Sequence, residues 1–465
     1  MQLLVNTTLG EHRGKPRVWT EGFKLEPFFT PGQPLEAIFD HDNKRAVIRV
    51  ASSGVGSFSV SRRNSAGRCY PLIELKGAEL LSLFGGIGVQ LRIVVRPGIA
   101  TIETHVLEQR VQERTQRFSH KVATGEPLAF GSLFGGGGIL DAAVHEGLSR
   151  TGLRSFNRFV VEREWQYLDA MVSNQPELFS PHSILIESEI EHVDLRGSSN
   201  RHAQPLVEGM LIGMPCTGAS KAGKTKNKLS FAEEHPSAGS MFFYALQFIG
   251  FCQPYFVLME CVCDYKNSTS MAVIQNVLAT WGYEVSISTL NGCEYGALED
   301  RDRMVMVATT KGCPVFDFGL LKPVATKQST VADILDDVPL DDESWKDYEY
   351  LAEKEVRDRA QGKGFRRVVL NGTEGKVPTI RRSYQKGGST DPFVAHPEKP
   401  LSRLFTPSEH AKIKQIPERL IQGLSASRAH EVMGQGVVYP LFVSLGVALG
   451  QWISDIFASE KLLPN

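Results

Sequence analysis

The cysteine in Gly213-Met214-Pro215-Cys216 follows an apolar segment, at the place where a strand is predicted to end. A thiol in this position can act as a nucleophile, because its thiolate attacks electron-poor carbon. The next segment, 217–228, is rich in small residues and basic, with lysines at Lys221, Lys224, Lys226 and Lys228. Positive charge beside a thiol favours the thiolate. A single cysteine after a strand is more often buried and inert, so the prediction of a reactive Cys216 depends on this basic segment.

A glycine-rich turn, Phe134-Gly135-Gly136-Gly137-Gly138, lies between a predicted strand and a predicted helix. Glycines at such a turn let the backbone approach a ligand closely and let the helix pack against the strand. The next predicted strand ends in Glu162, where an acid can accept hydrogen bonds from a ribose hydroxyl. The similar string at 83–88 precedes a predicted strand and not a helix, so it is rejected as a cofactor loop. The first turn therefore predicts a site for a ribose-containing cofactor.

Two other segments place charged side chains at strand ends. Glu260 closes the apolar run that begins near Tyr255, and Arg301-Asp302-Arg303 opens the run that follows. In open α/β sheets ligands bind at the carboxyl edge of the strands. Each segment alone is compatible with an ordinary ion-paired loop. Their joint order with the glycine-rich turn, Glu162 and Cys216 predicts a single site.

The elements that must position these residues alternate between strands and helices from about residue 128 onward. Strands are predicted over 129–134, 158–161, 183–186, 207–212, 255–259, 285–290 and 304–308, with helices over 139–149 and 165–173. This alternation is typical of an open, mostly parallel sheet with helices on both faces. A capping box at Thr406 marks the return of helices, and residues 439–458 are predicted to form a core helix and not a membrane span.

The composition excludes several classes of protein. The chain has 465 residues and a formal net charge of −1, so a basic surface, if present, must be local. The seven cysteines include no CxxC pair at zinc spacing, which argues against a disulfide framework and a metal site. The first residues lack the apolar stretch of a signal peptide. These features predict a protein of the reducing cytoplasm that binds neither metal nor membrane.

Over residues 128–458 the ordered motifs resemble those of the DNA (cytosine-5)-methyltransferases. The matching strings are SLFGGGGILDAA, GMPCTGASKAGK, ECV, NGCEYGALEDRDRMVMVA, RLFTPSEHAKIKQIP and MGQGVVYPLF. The resemblance implies an α/β, Rossmann-like methyltransferase domain with a mostly parallel sheet, a small target-recognition domain and an added N-terminal β-rich domain. The domain boundaries it implies are 126–312 and 401–465 for the catalytic domain, 313–400 for target recognition and 1–125 for the accessory domain.

The same resemblance implies the reaction and the residues that carry it. Cys216 would add to C6 of a cytosine flipped out of double-stranded DNA, so that C5 accepts the methyl group of S-adenosyl-L-methionine. Glu260 would hold the N3 and N4 edge of the base, with Arg303 and Arg301 placing both. The cofactor residues would be Phe134, Gly136, Gly138, Glu162, Glu189, Ile190, Pro215, Gln435 and Val437. The DNA contacts would come from the lysines after Cys216 and from Arg366, Arg367, Arg381 and Arg382 in the basic run 363–388.

Four positions depart from the pattern of this family. Thr217, Cys261, Glu299 and Gln435 stand where most members have Gln, Asn, Gln and Asn. Since the cysteine, the glutamate and both arginines are present, an active enzyme of bacterial or phage origin, associated with the nucleoid, is expected. Two alternatives remain open: a cytosine-5 methyltransferase acting on tRNA, and a non-catalytic DNA-binding regulator on the same fold. The long recognition segment favours duplex DNA over the first, and the intact catalytic set argues against the second.

The N-terminal residues lie outside the region of resemblance. Alternating polar and apolar residues predict half-buried strands at 45–50 and 90–95. The segment 17–34 resembles small swapped-hairpin β-barrels of bacterial DNA-binding proteins. DNA binding or dimerisation is therefore expected of this part, and the oligomeric state stays open.

Overall fold

The computed structural model describes residues 1–65, 67–195, 205–216, 218 and 230–460. These residues form two compact units, Met1–Glu113 and Arg114–Asn465. The division falls about twelve residues before the predicted boundary at 125, inside a helix, Val106–Thr124, that the sequence analysis did not predict. Each unit is described by itself.

The first unit consists of two antiparallel sheets over one core. The six-stranded sheet has the order β1-β9-β10-β5-β4-β6 and the four-stranded sheet the order β2-β3-β8-β7. The apolar side of each strand, with residues such as Ile48 and Ile93, is buried between them. The strands and helices are β1 Leu3–Thr8, β2 Gly10–His12, β3 Lys15–Glu21, β4 Pro34–Asp40, β5 Arg45–Val50, β6 Phe58–Ser59, β7 Ser61–Ser65, β8 Arg68–Lys76, α1 Glu79–Phe84, β9 Gln90–Arg96, β10 Ile99–Thr104 and α2 Val106–Thr124.

The second unit is built on a seven-stranded sheet of order β13-β12-β11-β14-β15-β18-β16. Its members are β11 Leu128–Leu133, α3 Ile139–Arg150, β12 Ser155–Glu162, α4 Trp165–Asn174, β13 Phe179–Glu187, β14 Gly209–Gly213, α5 Met241–Cys252, β15 Phe256–Cys261, α6 Thr269–Thr280, β16 Tyr283–Asn291, β17 Glu299–Asp300 and β18 Asp302–Thr310. β11 to β15 pair in parallel, and β18 pairs antiparallel with both of its neighbours. The Rossmann-like α/β fold predicted from sequence is confirmed.

A smaller subregion follows β18. It contains α7 Glu349–Ala360 and the strands β19 Val368–Leu370, β20 Val377–Pro378, β21 Pro392–Ala395 and β22 Ser402–Arg403. Three of these strands form a sheet of order β19-β21-β22, while β20 pairs with β17. Buried apolar residues including Val331, Leu370 and Phe405 give this subregion its own core. It occupies the segment from which sequence resemblance predicts target recognition.

Three helices complete the second unit: α8 Pro407–Lys414, α9 Ala426–Gln435 and α10 Tyr439–Glu460. The predicted capping box is present, since Thr406 accepts a hydrogen bond from the Glu409 backbone and Glu409 accepts one from Thr406 in return. α10 packs on α3 at two facing glycines, where a Cβ on Gly147 would lie 2.6 Å from Cα of Gly446. By length and composition alone α10 could cross a membrane, but most of it is buried in this core.

Candidate active site

The predicted catalytic segments meet at the carboxyl edge of the central sheet. Glu260 in β15 lies between Gly213 of β14 and Val305 of β18 in the strand register. Because β18 runs antiparallel, its first residues lie at the same edge as the last residues of β14 and β15. The backbone N–H of Met214 donates to the carbonyl of Glu260 at 3.0 Å. The segment that leads to Cys216 therefore begins directly beside Glu260.

Arg303 and Glu260 form an ion pair at this edge. The Nε of Arg303 lies 2.8 Å from Oε1 of Glu260, and the two side chains are only 13% and 12% exposed. A second nitrogen of Arg303 donates to the carbonyl of Asp302. A half-enclosed guanidinium held in this way orients the carboxylate, and the low exposure strengthens its interaction with a ligand.

The thiol of Cys216 lies in the same electrostatic environment and is half-buried. Burial raises the pKa of the Cys216 thiol. Arg303 lowers this pKa, Glu260 raises it and Arg301 lowers it, but together they do not offset burial. The described residues alone therefore do not favour the thiolate, because desolvation disfavours the charged form of a thiol. The prediction of a reactive Cys216, which depends on the lysines that follow it, stays a prediction. Lys221, Lys224, Lys226, Lys228 and Thr217 lie outside the described residues.

Arg301 has a different environment from Arg303. Its guanidinium is almost fully buried and donates to Oε1 of Glu299 at 3.4 Å, and to the carbonyls of Ile380 and Gly434 at 3.2 Å each. These contacts join the residue before β18 to the subregion that follows β18 and to α9. Arg301, which sequence resemblance grouped with the catalytic residues, is therefore bound to the protein interior, while Arg303 pairs with Glu260.

Glu299 has a buried partner that the sequence analysis missed. The Nζ of Lys414 in α8 lies 3.5 Å from Oε2 of Glu299, and both side chains are fully buried. Lys414 also donates to the carbonyls of Met433 and Gly436, on either side of Gln435. Oε1 of Glu299 accepts a hydrogen bond from the backbone of Ile380 at 2.8 Å. The departure from the usual family residue at Glu299 is therefore accompanied by a buried cation.

A double-mutant cycle should reveal the coupling of this pair. Lys414→Met leaves two carbonyls without their donor, and Glu299→Gln leaves a buried ammonium without a carboxylate, so each single variant should lower the thermal-unfolding midpoint strongly. The double variant should lose less than the sum of the two, because no unpaired charge remains between the two positions. Burial lowers the pKa of Lys414 to about 7. The coupling should therefore be larger below that pH, where Lys414 is charged, than above it. If the decreases in the thermal-unfolding midpoint were additive at both pH values, Lys414 and Glu299 would not be energetically coupled.

The glycine-rich turn and Glu162 lie at the neighbouring part of the same edge. Phe134, Gly136 and Gly138 have φ angles of 58°, 54° and 75°, in the left-handed region that glycine adopts most easily. The backbone N–H of Gly136 donates to Oε2 of Glu162 at 2.7 Å. A Cβ on Gly137 would overlap Val432 of α9. The turn therefore needs glycine, and the carboxylate of Glu162 lies against it.

The other predicted cofactor residues lie around this turn or on the adjoining strand ends. Gln435 is near the turn, since a Cβ on Gly136 would lie 3.4 Å from its Nε2. Val437 follows as a buried residue. Beyond β13, Glu189 is exposed and Ile190 is buried at the start of a short 3₁₀ turn. Pro215 is half-buried directly before Cys216.

A series of buried, hydrogen-bonded polar side chains lies on the strands and the helix next to the glycine-rich turn. Sequence analysis did not identify it. Asp141 in the first turn of α3 accepts hydrogen bonds from Ser132 and Asn157, each at 3.1 Å. Nε2 of His145 lies 3.1 Å from Oδ1 of Asn157. Burial raises the pKa of Asp141 to about 6. The only sequence signal was an acid in the first helical turn after the glycines.

The four arginines predicted to contact DNA have unequal environments. Arg381 is tied to Asp391, with Nη2 2.9 Å from Oδ1, and Arg382 donates to the hydroxyl of Tyr167 at 3.0 Å. Arg367 lies 3.4 Å from Glu355, while Arg366 is exposed. The pairs Arg366–Arg367 and Arg381–Arg382 look alike in sequence, but their side chains have different partners and different exposure in the structure. Among the residues that the structure describes, no cluster of three or more His, Cys, Asp or Glu could hold a metal ion.

Comparison with known proteins agrees with this geometry. A family model described as C-5 cytosine-specific DNA methylase matches residues 133–451. The chain is 27% identical over 252 residues to the Type II methyltransferase M.NlaX of Neisseria lactamica, which covers 52% of this chain and 76% of that protein. It is 25% identical over 240 residues to the Type II methyltransferase M.MspI of Moraxella sp, which covers 51% of this chain and 54% of that protein.

Solved structures show the same fold at low identity. The methyltransferase EhMeth of Entamoeba histolytica superposes with a TM-score of 0.52 and 16% identity, covering 71% of this chain and 98% of that one. The Dnmt2 methyltransferase of S. pombe superposes with a TM-score of 0.53 and 12% identity, covering 71% and 99%. At these identities the likeness concerns the fold alone.

Proposed function

Because the chain belongs to the C-5 cytosine-specific DNA methylase family and is a DNA cytosine-5-methyltransferase, we propose how its residues perform the reaction. A methyl group is transferred from S-adenosyl-L-methionine to C5 of a cytosine flipped out of double-stranded DNA, through a covalent bond between Cys216 and C6. The observation that supports this proposal most directly is the Arg303–Glu260 ion pair at the strand edge from which Cys216 follows.

Cys216 makes C5 nucleophilic. Its sulfur adds to C6, a bond forms between sulfur and C6, and the π electrons of the C5–C6 bond become available at C5. S-adenosyl-L-methionine supplies, when bound, a methyl group on a positively charged sulfur. After C5 has gained the methyl group, a base removes the C5 proton, the electrons re-form the C5–C6 double bond and Cys216 leaves. Because burial raises the pKa of the Cys216 thiol, the proposal assigns stabilisation of the thiolate to the lysines that follow Cys216 in sequence.

Glu260 and Arg303 stabilise the charge that this addition creates. Glu260 is proposed to bind the N3 and N4 edge of the flipped cytosine, since a carboxyl group can both donate and accept there when protonated. Arg303 holds that carboxyl group in position. Charged and polar groups that are already in position before the reaction usually contribute most to the stabilisation of the transition state.

The glycine-rich turn fits the proposed cofactor. The turn packs so closely that a Cβ on Gly137 or Gly138 would overlap Val432 or Met171, and this brings its backbone within hydrogen-bond distance of Glu162. We assign the cofactor contacts to this turn, Glu162, Glu189, Ile190, Pro215, Gln435 and Val437. Gly138 gives α3 a glycine N-cap, and the helix begins at Ile139.

Glu162→Ala should weaken S-adenosyl-L-methionine binding more than it slows the saturated reaction. The loss of a charged acceptor for the ribose should cost about 1.5–3 kcal/mol of binding. Calorimetric titration of the cofactor measures this directly, with Glu164→Ala as the matched control. An unchanged affinity would place the cofactor elsewhere.

The subregion between β18 and α8 is proposed to recognise the DNA site, where Arg366 and Arg382 are exposed and Arg367 and Arg381 are half-buried. Arg381 and Arg382 remain in the proposal, but they must exchange their present partners before they can contact a base. The lysine-rich segment after Cys216 is proposed to close over the DNA backbone. A bacterial or phage origin and a place in the cytoplasm, at the nucleoid, belong to the same proposal and are supported by the bacterial relatives.

Bisulfite sequencing of DNA and RNA from cells expressing the wild type tests the proposal. Protected cytosines at one recurring DNA sequence are expected. Protection confined to tRNA would favour the RNA-directed alternative. No protection of either nucleic acid, by a folded and soluble protein, would favour the non-catalytic regulator.

A further inference from the structure

The hairpin β7–β8 of the first unit presents three arginines and is poor in acids. Arg62 and Arg63 lie on β7 and Arg68 opens β8. Arg62 and Arg68 are exposed, and Arg63 keeps 55% of its side-chain surface exposed. The sequence from 50 to 73 contains neither Asp nor Glu. Arg63 and Arg68 share one face of the hairpin and Arg62 lies on the other, because side chains alternate along a strand. The hairpin therefore concentrates positive charge in a chain whose net charge is close to zero.

This surface contrasts with the other cations of the same unit. Arg45, Arg49 and Arg92 lie within 2.8 Å of a carboxylate on a neighbouring strand. Within the described part of the chain, no carboxylate lies within ion-pair distance of Arg62 or Arg68. Arg63 lies 3.6 Å from Glu21, and Glu74 on β8 pairs with Arg17 and Lys76. Arg62 and Arg68 are thus left for an anion from outside the unit, while Arg45, Arg49 and Arg92 of the larger sheet are neutralised within it.

An aromatic pair holds Arg68 in an ordered position. Its guanidinium lies over the ring of Phe23, 4.4 Å from the ring centroid. Phe23 in turn packs edge-on against Tyr70, with centroids 5.2 Å apart. Stacking of this kind reduces the side-chain entropy that an arginine loses when it binds. Phe23 itself is 41% exposed, so the rest of the unit does not cover this ring.

We propose that the hairpin β7–β8 binds the phosphate backbone of duplex DNA. Phosphate is the anion that guanidinium groups recognise best at an exposed site, and DNA is the polyanion on which this family acts. Contacts to phosphate give affinity without base information. The hairpin therefore increases affinity for any duplex, while the site that is methylated is determined elsewhere. The proposal rests on the proposed function only in that duplex DNA is the partner.

The test compares two triple variants of the full chain with equal loss of charge. Arg62→Ala with Arg63→Ala and Arg68→Ala removes the hairpin cations. Lys15→Ala with Lys44→Ala and Arg96→Ala removes three exposed cations of the same unit outside the hairpin. Binding to a fluorescent duplex of mixed sequence is measured by anisotropy over a range of KCl concentrations, in the Cys216→Ser background so that no chemistry follows.

The hairpin variant should bind more weakly and lose about 0.9 in the slope of log K against log salt for each phosphate contact removed. Replacing the three arginines by lysine should keep most of that slope. The control variant should bind as its parent does, and bisulfite sequencing with Cys216 intact should show the same methylated sequence for all.

Two outcomes would overturn the proposal. One is an unchanged salt slope in the hairpin variant, and the other is an equal loss in both triple variants, which would indicate a general charge effect. A changed methylated sequence would instead make the hairpin a base-reading element. Since binding is measured without turnover, an inactive wild type would refute the proposed reaction and leave this result standing.

Discussion

Cys216→Ser is expected to reduce methyl transfer to background while S-adenosyl-L-methionine binding is retained. A serine alkoxide is far less accessible than a thiolate near neutral pH, so addition to C6 is lost. The cofactor residues lie around the glycine-rich turn and do not include this side chain. Incorporation of labelled methyl groups into DNA measures the first effect and calorimetry the second. Cys69→Ser, an exposed thiol in the first unit, should keep full activity.

The wild type should also be trapped covalently by DNA that contains 5-fluorocytosine. Fluorine at C5 cannot leave as a proton, so the bond between Cys216 and C6 persists. The complex should survive denaturing electrophoresis for the wild type and be absent for Cys216→Ser. More than a few per cent of residual transfer by the serine variant, or only dissociable complexes with the wild type, would contradict covalent catalysis.

The strands of the second unit were predictable because each is a short apolar run followed by a turn. The predicted strand at 129–134 corresponds to Leu128–Leu133, and that at 304–308 to Asp302–Thr310. The first strand is shifted by one residue because Phe134 has a positive φ and belongs to the turn, and the second extends further because polar residues such as Asp302 continue the backbone pairing without adding to the apolar pattern. The antiparallel direction of β18 could not be predicted, since an apolar run has no direction.

The site was only partly predictable, because a sequence shows which charges are near each other along the chain and not in space. Arg301 and Arg303 are two residues apart, yet one is buried against Glu299 and the other pairs with Glu260. Lys414 reaches Glu299 from another helix, and nothing in its own neighbourhood indicates a buried ammonium. The pKa of the Cys216 thiol could not be predicted for the same reason, since the sequence shows the nearby cations but not the burial that opposes their effect.

Glu260→Gln is expected to reduce methyl transfer by about 100- to 10,000-fold, the range found when a positioned acid–base group is lost. Glutamine cannot supply a proton at N3, so charge that develops on the base is no longer stabilised. Steady-state transfer to duplex DNA measures the loss. Glu294→Gln, an exposed acid on the segment before β17, is the matched control and should leave the rate unchanged.

A second measurement on the same variant separates this role from an effect on the nucleophile. Glu260 raises the pKa of the Cys216 thiol and Arg303 lowers it. Removing the charge of Glu260 should therefore make Cys216 more easily alkylated by iodoacetamide, with the site of alkylation identified by peptide mass spectrometry. Arg303→Ala should have the opposite effect on alkylation while also reducing methyl transfer. Faster alkylation with slower transfer is the combination that only a base-binding role predicts. If both rates fell together in Glu260→Gln, the glutamate would act by activating or placing Cys216, and its assignment to the cytosine edge would have to be abandoned.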